Sequence, residues 1–175
     1  DVIVKSDGSI WFTDPSYGID SDYEGDAAPM EQDGRHVYRI DPDGTITRVI
    51  DDMKQPNGLA FSPDGGTMYH SDSRGPWVDA WDFAPATGAI GNRRRVVELT
   101  EEIGRPDGGA TDAEGCYWSA GVSAGKLNRF SPQGELLASY PLPVVAPTMP
   151  CFGGTGLNRL FLTSLREGRD PAKLE

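Results

Sequence analysis

The sequence predicts an all-β chain made of four-stranded antiparallel sheets, the blades of a β-propeller. Three observations carry this reading. One hairpin plan recurs along the chain, second pairs of strands fill the intervals between its copies, and no stretch keeps a helical hydrophobic period over about ten residues.

The recurring plan is a short apolar strand, an acidic-glycine turn and an aromatic-rich strand. It reads from Val2 to Phe12, from Gly58 to Tyr69 and from Gly109 to Trp118, with a weaker copy from Pro150 to Leu162. The turn glycines Gly8, Gly65, Gly115 and Gly156 stand 57, 50 and 41 residues apart. Asp-Gly between alternating apolar runs marks a hairpin because the turn needs positive φ angles, which glycine adopts without steric cost. The second pairs are His36–Ile40 with Thr45–Ile50, Trp77–Phe83 with Arg94–Leu99, and Lys126–Phe130 with Glu135–Tyr140. Repeats of about 40–50 residues with four short strands are the propeller signature. The expected blades are residues 1–50, 57–99, 107–141 and an incomplete 145–165, within a single domain spanning 1–175. Trp11, Tyr69 and Trp118 follow the hairpin turns and are expected to pack blade against blade.

Composition narrows the function classes. The chain has 175 residues, 27 acidic against 16 basic, for a formal net charge of −11. Such a surface repels phosphate backbones and anionic lipid, so neither nucleic acid nor membrane is an expected partner. No run of about 18 apolar residues marks a membrane span. The start, from Asp1 to Lys5, lacks the basic and apolar regions of a signal peptide, and both ends are read as cuts in a longer polypeptide. Cys116 and Cys151 form no CxxC pair; both are expected to be buried free thiols, which points to a reducing, cytoplasmic compartment. The long irregular stretch from Pro15 to Arg35 is read as a loop over one end of the propeller.

Several motifs, in order, resemble the gluconolactonase and regucalcin (senescence marker protein) family of calcium-dependent six-bladed propeller lactonases. They are Asp1-Val2-Ile3-Val4, Phe12-Thr13-Asp14-Pro15-Ser16-Tyr17-Gly18, Gln55-Pro56-Asn57-Gly58-Leu59, the stretch Gly88 to Arg94, Arg105-Pro106-Asp107-Gly108 and Cys151-Phe152-Gly153-Gly154. The resemblance runs from Asp1 to Pro171 and implies a six-bladed propeller of which this chain covers just under four blades. It also implies a metal centre at the propeller axis, with Asn57 and Asp107 as ligands. A Glu ligand and a polar Asn of the family pattern would both lie before Asp1. The implied cofactor is Ca2+, with Zn2+, Mn2+ or Mg2+ as alternatives, and the implied substrate is a small-molecule lactone.

The residues themselves support the same two positions. Pro56-Asn57-Gly58 and Pro106-Asp107-Gly108 each open the innermost strand of a repeat, so an amide oxygen and a carboxylate converge on the central channel. Hard cations take oxygen ligands in irregular geometry, and the absence of clustered His and Cys argues against a dedicated zinc site. Asp107 is the expected group to hold the metal and to orient or activate water. Tyr17 and Asp72 are expected to bind sugar hydroxyls. Asp7, Asp43 and Asp64 read as turn formers, His70 as a strand-end histidine near the channel mouth, and Arg93-Arg94-Arg95 as a solvated outer face. Two rival functions share the scaffold: phosphotriester hydrolysis and non-catalytic calcium binding. Open blade edges would permit self-association.

Overall fold

The computed structural model describes residues 1–15 and 35–165. These form three four-stranded antiparallel sheets and one two-stranded sheet, each pairing strands in sequence order. The first sheet holds β1 (Val2–Val4), β2 (Ile10–Asp14), β3 (His36–Ile40) and β4 (Ile46–Ile50). The second holds β5 (Pro56–Phe61), β6 (Thr67–Asp72), β7 (Trp77–Ala84) and β8 (Ala89–Glu98). The third holds β9 (Pro106–Thr111), β10 (Tyr117–Gly121), β11 (Lys126–Phe130) and β12 (Leu136–Pro141). β13 (Pro147–Gly153) and β14 (Arg159–Ser164) make the last, joined through a 3-10 turn at Thr155–Leu157.

The hairpin turns work as their residue types require. Gly8, Gly65 and Gly115 have φ of 86°, 72° and 80°. The preceding acids fix the turns: Asp7 accepts the Ser9 amide at 2.9 Å, Asp64 the Gly66 amide at 3.0 Å and Asp43 the Thr45 amide at 2.9 Å. Hydrogen bonds from their turns hold all three carboxyls below the ordinary range.

The apolar core lies between sheets, which stack face to face as blades. Trp11, Val37 and Ile50 of the first blade interlock with Leu59, Met68 and Phe83 of the second. Trp11 is fully buried, edge-on to Phe61 and Phe83 with centroids 5.5 Å away in each case. Tyr69, Val78 and Ala80 of the second blade meet Tyr117 and Phe130 of the third. Trp118 is only half-buried; it stacks on Tyr140 and meets Phe152 of the last sheet edge-on.

Three sequence expectations change. β8 begins at Ala89 rather than Arg94, carrying a bulge with Asn92 at φ 49° that its low strand propensity hid. Cys151 is exposed; only Cys116 is a buried thiol. The arginine run is a paired network rather than a solvated face. Arg93 bridges Asp79 and Asp52 at 2.7 and 2.5 Å, Arg95 reaches Asp79 at 2.5 Å, and both guanidiniums lie over the Trp77 ring.

Candidate active site

The innermost strands β1, β5, β9 and β13 follow one another around the propeller axis, and their first residues open onto a cavity of about 560 Å³. Pro56-Asn57, Pro106-Asp107 and Pro147-Thr148 occupy the same register in three successive strands. In each, the proline is buried and the following side chain is half-exposed to the cavity. The register is fixed by backbone: Ser73, Val122 and Leu165, each just past the second strand of its blade, donate to the carbonyls of Gln55, Arg105 and Ala146 at 2.9–3.0 Å. Proline fits at the strand start because its missing N–H leaves no ladder bond unmade there.

Asn57 and Asp107 therefore meet across the blade boundary. The Asn57 amide nitrogen donates to an Asp107 carboxylate oxygen, and also to Ser73 Oγ at 3.3 Å. The Asn57 amide oxygen accepts the Gly58 N–H at 3.1 Å. Asp1, also on the cavity, accepts the Leu59 N–H at 2.9 Å and ties the first inner strand to the second.

A reciprocal clamp sets the spacing of the two residues. Tyr117, from the third blade, donates its phenol to the Gly58 carbonyl at 2.7 Å, next to Asn57. Ser71, from the second blade, donates to the carbonyl of Asp107 at 3.1 Å. Tyr117 is fully buried, and burial drives its phenol well above the ordinary range, so it remains a donor. Gly58 and Gly109 make room for the clamp. A Cβ on Gly58 would sit 2.3 Å from both Ser71 Oγ and the Tyr117 oxygen, and one on Gly109 would sit 2.1 Å from the latter.

The other expected site residues fare differently. Asp72 is buried and off the cavity: its carboxylate accepts the N–H groups of Lys54, Gln55, Arg74 and Gly75 at 2.7, 3.1, 2.9 and 2.9 Å. That full set of partners leaves it to fix the loop before Asn57 instead of binding sugar hydroxyls. His70 is also buried, packed between Trp77 and Trp81 rather than at the mouth, and burial lowers its imidazole to about 4. Tyr17 lies outside the described residues. Sequence reasoning missed Thr148, although its proline at the matching offset was a usable signal.

Asn57, Asp107 and Thr148 present only oxygen and amide donors, the chemistry of a hard-cation site. No group of three or more His, Cys, Asp or Glu side chains suited to a metal occurs among the described residues. Asn57 and Asp107 thus fit as part of a coordination shell, with the Asn57 amide turned over to direct its oxygen inward.

Stacked four-stranded meanders around an axial cavity define the blades of a β-propeller. Residues 1–166 match the SMP-30/Gluconolactonase/LRE-like region, and the chain belongs to that family. It is 38% identical over 147 residues to a 6-deoxy-6-sulfogluconolactonase of Pseudomonas putida, a match that covers 83% of this chain and 50% of that protein. Among solved structures it resembles a gluconolactonase from Xanthomonas campestris, with TM-score 0.79, 36% identity, and coverage of 94% of this chain and 53% of that one. A calcium-binding regucalcin from Agrobacterium tumefaciens gives TM-score 0.79 at 26% identity, covering 99% and 55%. The chain spans about half the length of the relatives it matches. Three complete blades and half of a fourth are in keeping with that share of a six-bladed ring.

Proposed function

We propose that the protein opens sugar lactones by metal-assisted hydrolysis. The observation that carries this reading is the convergence of Asn57 and Asp107, from neighbouring blades in one register, on the same axial cavity. Family membership supports it, as does the relative named for a sulfonated gluconolactone. A divalent cation held by Asn57 and Asp107, Ca2+ before Mg2+, Mn2+ or Zn2+, would supply Lewis acidity toward the lactone carbonyl oxygen.

The chain's own groups do the rest. The Asp107 carboxylate orients a water against the carbonyl carbon and accepts its proton, within hydrogen-bond reach of the cavity. Asn57 contributes a neutral donor, so the site does not accumulate charge that would repel an acidic product. Ser73 and Thr148 line the same wall with hydroxyls that a sugar ring can use. Ring opening yields one carboxylate, one hydroxyl and one released proton: the water's oxygen forms the new C–O bond, one of its protons goes to the leaving oxygen and the other to solvent.

The test uses the intact protein with glucono-1,5-lactone, monitored by proton release, after chelation and after adding back each cation. Turnover that disappears with chelator, returns with calcium and is lost in Asp107→Asn supports the reading. Cation binding by calorimetry with no lactone turnover favours the calcium-binding role carried by the Agrobacterium relative's name. Turnover insensitive to chelator and to Asp107→Asn would sink the proposal.

A further inference from the structure

Two residues before Asn57, Asp107 and Thr148, across the prolines, lies a second tier: Gln55, Arg105 and Ala146, whose carbonyls take equivalent backbone bonds. Gln55 and Arg105, just before β5 and β9, line the same cavity as Asn57 and Asp107. The three blades fill this tier differently. Ala146 is buried and has no functional group. The Gln55 side-chain oxygen Oε1 accepts from Arg74 Nε at 3.2 Å. Arg105, exposed, is the only basic side chain lining the cavity among the described residues.

Among the described residues Arg105 has no carboxylate partner within 4.0 Å, whereas Arg39, Arg48, Arg93, Arg94, Arg95 and Arg129 all do. Arg74 and Arg159 also form no such ion pair, but neither lines the cavity. The Arg105 backbone is nonetheless firmly held, with Arg105 N donating to Ser123 Oγ at 2.9 Å and its carbonyl bound by Val122. A fixed backbone, a free fork of N–H donors and a position one tier above Asp107 describe an anion recognition point.

We propose that Arg105 recognises an anionic substituent on the substrate, so that the preferred substrates are sugar lactones carrying a phosphate, sulfonate or carboxylate at the end far from the ring carbonyl. The inference rests on the lactonase reading and deepens it. With the carbonyl at Asp107, a guanidinium from the residue two before it, on the same cavity, can meet the far substituent of the ring. The planar guanidinium pairs two donors with two anionic oxygens, which a neutral hydroxymethyl group cannot reproduce. Arg105 is a specificity residue; the bond-making groups remain those at Asp107.

The experiment compares wild type, Arg105→Ala, Arg105→Gln and Arg105→Lys in the intact protein. The first arm measures kcat/KM for glucono-lactone and for its analogues bearing phosphate or carboxylate at the far carbon. The second measures, by calorimetry, binding of the product acids gluconate and 6-phosphogluconate. Wild type is expected to prefer the anionic member of each pair by about tenfold or more, the yield of one well-formed charge-assisted contact. That preference should shrink about tenfold in the Ala and Gln variants, be partly restored in Lys, and weaken with salt. A wild type with no preference, or a preference unchanged in both Arg105→Ala and Arg105→Gln, overturns the assignment. If no lactone is turned over, the lactonase reading fails, and the binding arm still decides the anion site by the same comparison. The exposed position of Arg105 predicts unchanged thermal unfolding, and the Gln variant guards against a misfolded Ala variant.

Discussion

Replacing Gly58 with alanine tests the clamp between the blades most directly. Gly58 has φ 57°, a left-handed conformation that costs a residue with a Cβ about 1 kcal/mol. The added methyl would also meet Ser71 Oγ and the Tyr117 oxygen at 2.3 Å, so both must move. Displacing Tyr117 strands a fully buried phenol and the Gly58 carbonyl, at about 1–3 kcal/mol for a lost buried bond. The total is about 2–4 kcal/mol. Tyr117→Phe alone should cost about 1–2 kcal/mol, since it removes the bond but keeps the packing. Combined, the two should cost less than their sum by about 1 kcal/mol, because the phenylalanine removes one of the two clashing oxygens. Urea unfolding of the four proteins measures each value. Strict additivity, or a Gly58→Ala cost under about 1 kcal/mol, would show that the clamp does not exist in solution.

Two further outcomes follow from buried polar groups. Asp72→Asn removes the charge that four loop N–H groups share, and should lower stability by about 3 kcal/mol while also weakening cation binding, read by calorimetry, because the loop positions Asn57. His70 is neutral when folded down to about 4 but takes a proton near 6.5 when unfolded, so protonation favours the unfolded chain. Its contribution is complete above about 6.5 and falls by about 3 kcal/mol as pH drops to about 4, below which it is flat. Asp79, Arg93, Asp52 and Asp72 share its surroundings, so the measurement is the difference in pH dependence between wild type and His70→Leu. Parallel curves would refute the assignment.

Much of the fold was legible because its instructions are local. Asp-Gly turns with positive φ fix each hairpin without reference to distant residues, and the repeated Pro-Asn-Gly and Pro-Asp-Gly motifs mark equivalent strand starts. What stayed hidden depends on contacts between remote segments. Asp72 looks like a free carboxylate until the turn before β5 brings the Lys54 and Gln55 amides to it. His70 is removed from the mouth by tryptophans on the adjoining strand, and Arg93 finds its second carboxylate at Asp52, beyond its own sheet. Thr148 was overlooked because threonine carries neither charge nor a turn signal, although its proline keeps the register.

The sequential strand order has a kinetic consequence. Every sheet pairs chain neighbours, so apart from the long β2–β3 connection the meanders close short loops and can assemble early, the behaviour of low contact order. Asn57 and Asp107 sit in different meanders and meet only after those units dock. The proposed metal-binding pair is thus a late product of folding, and any gain of cation binding during refolding would time the last step of assembly.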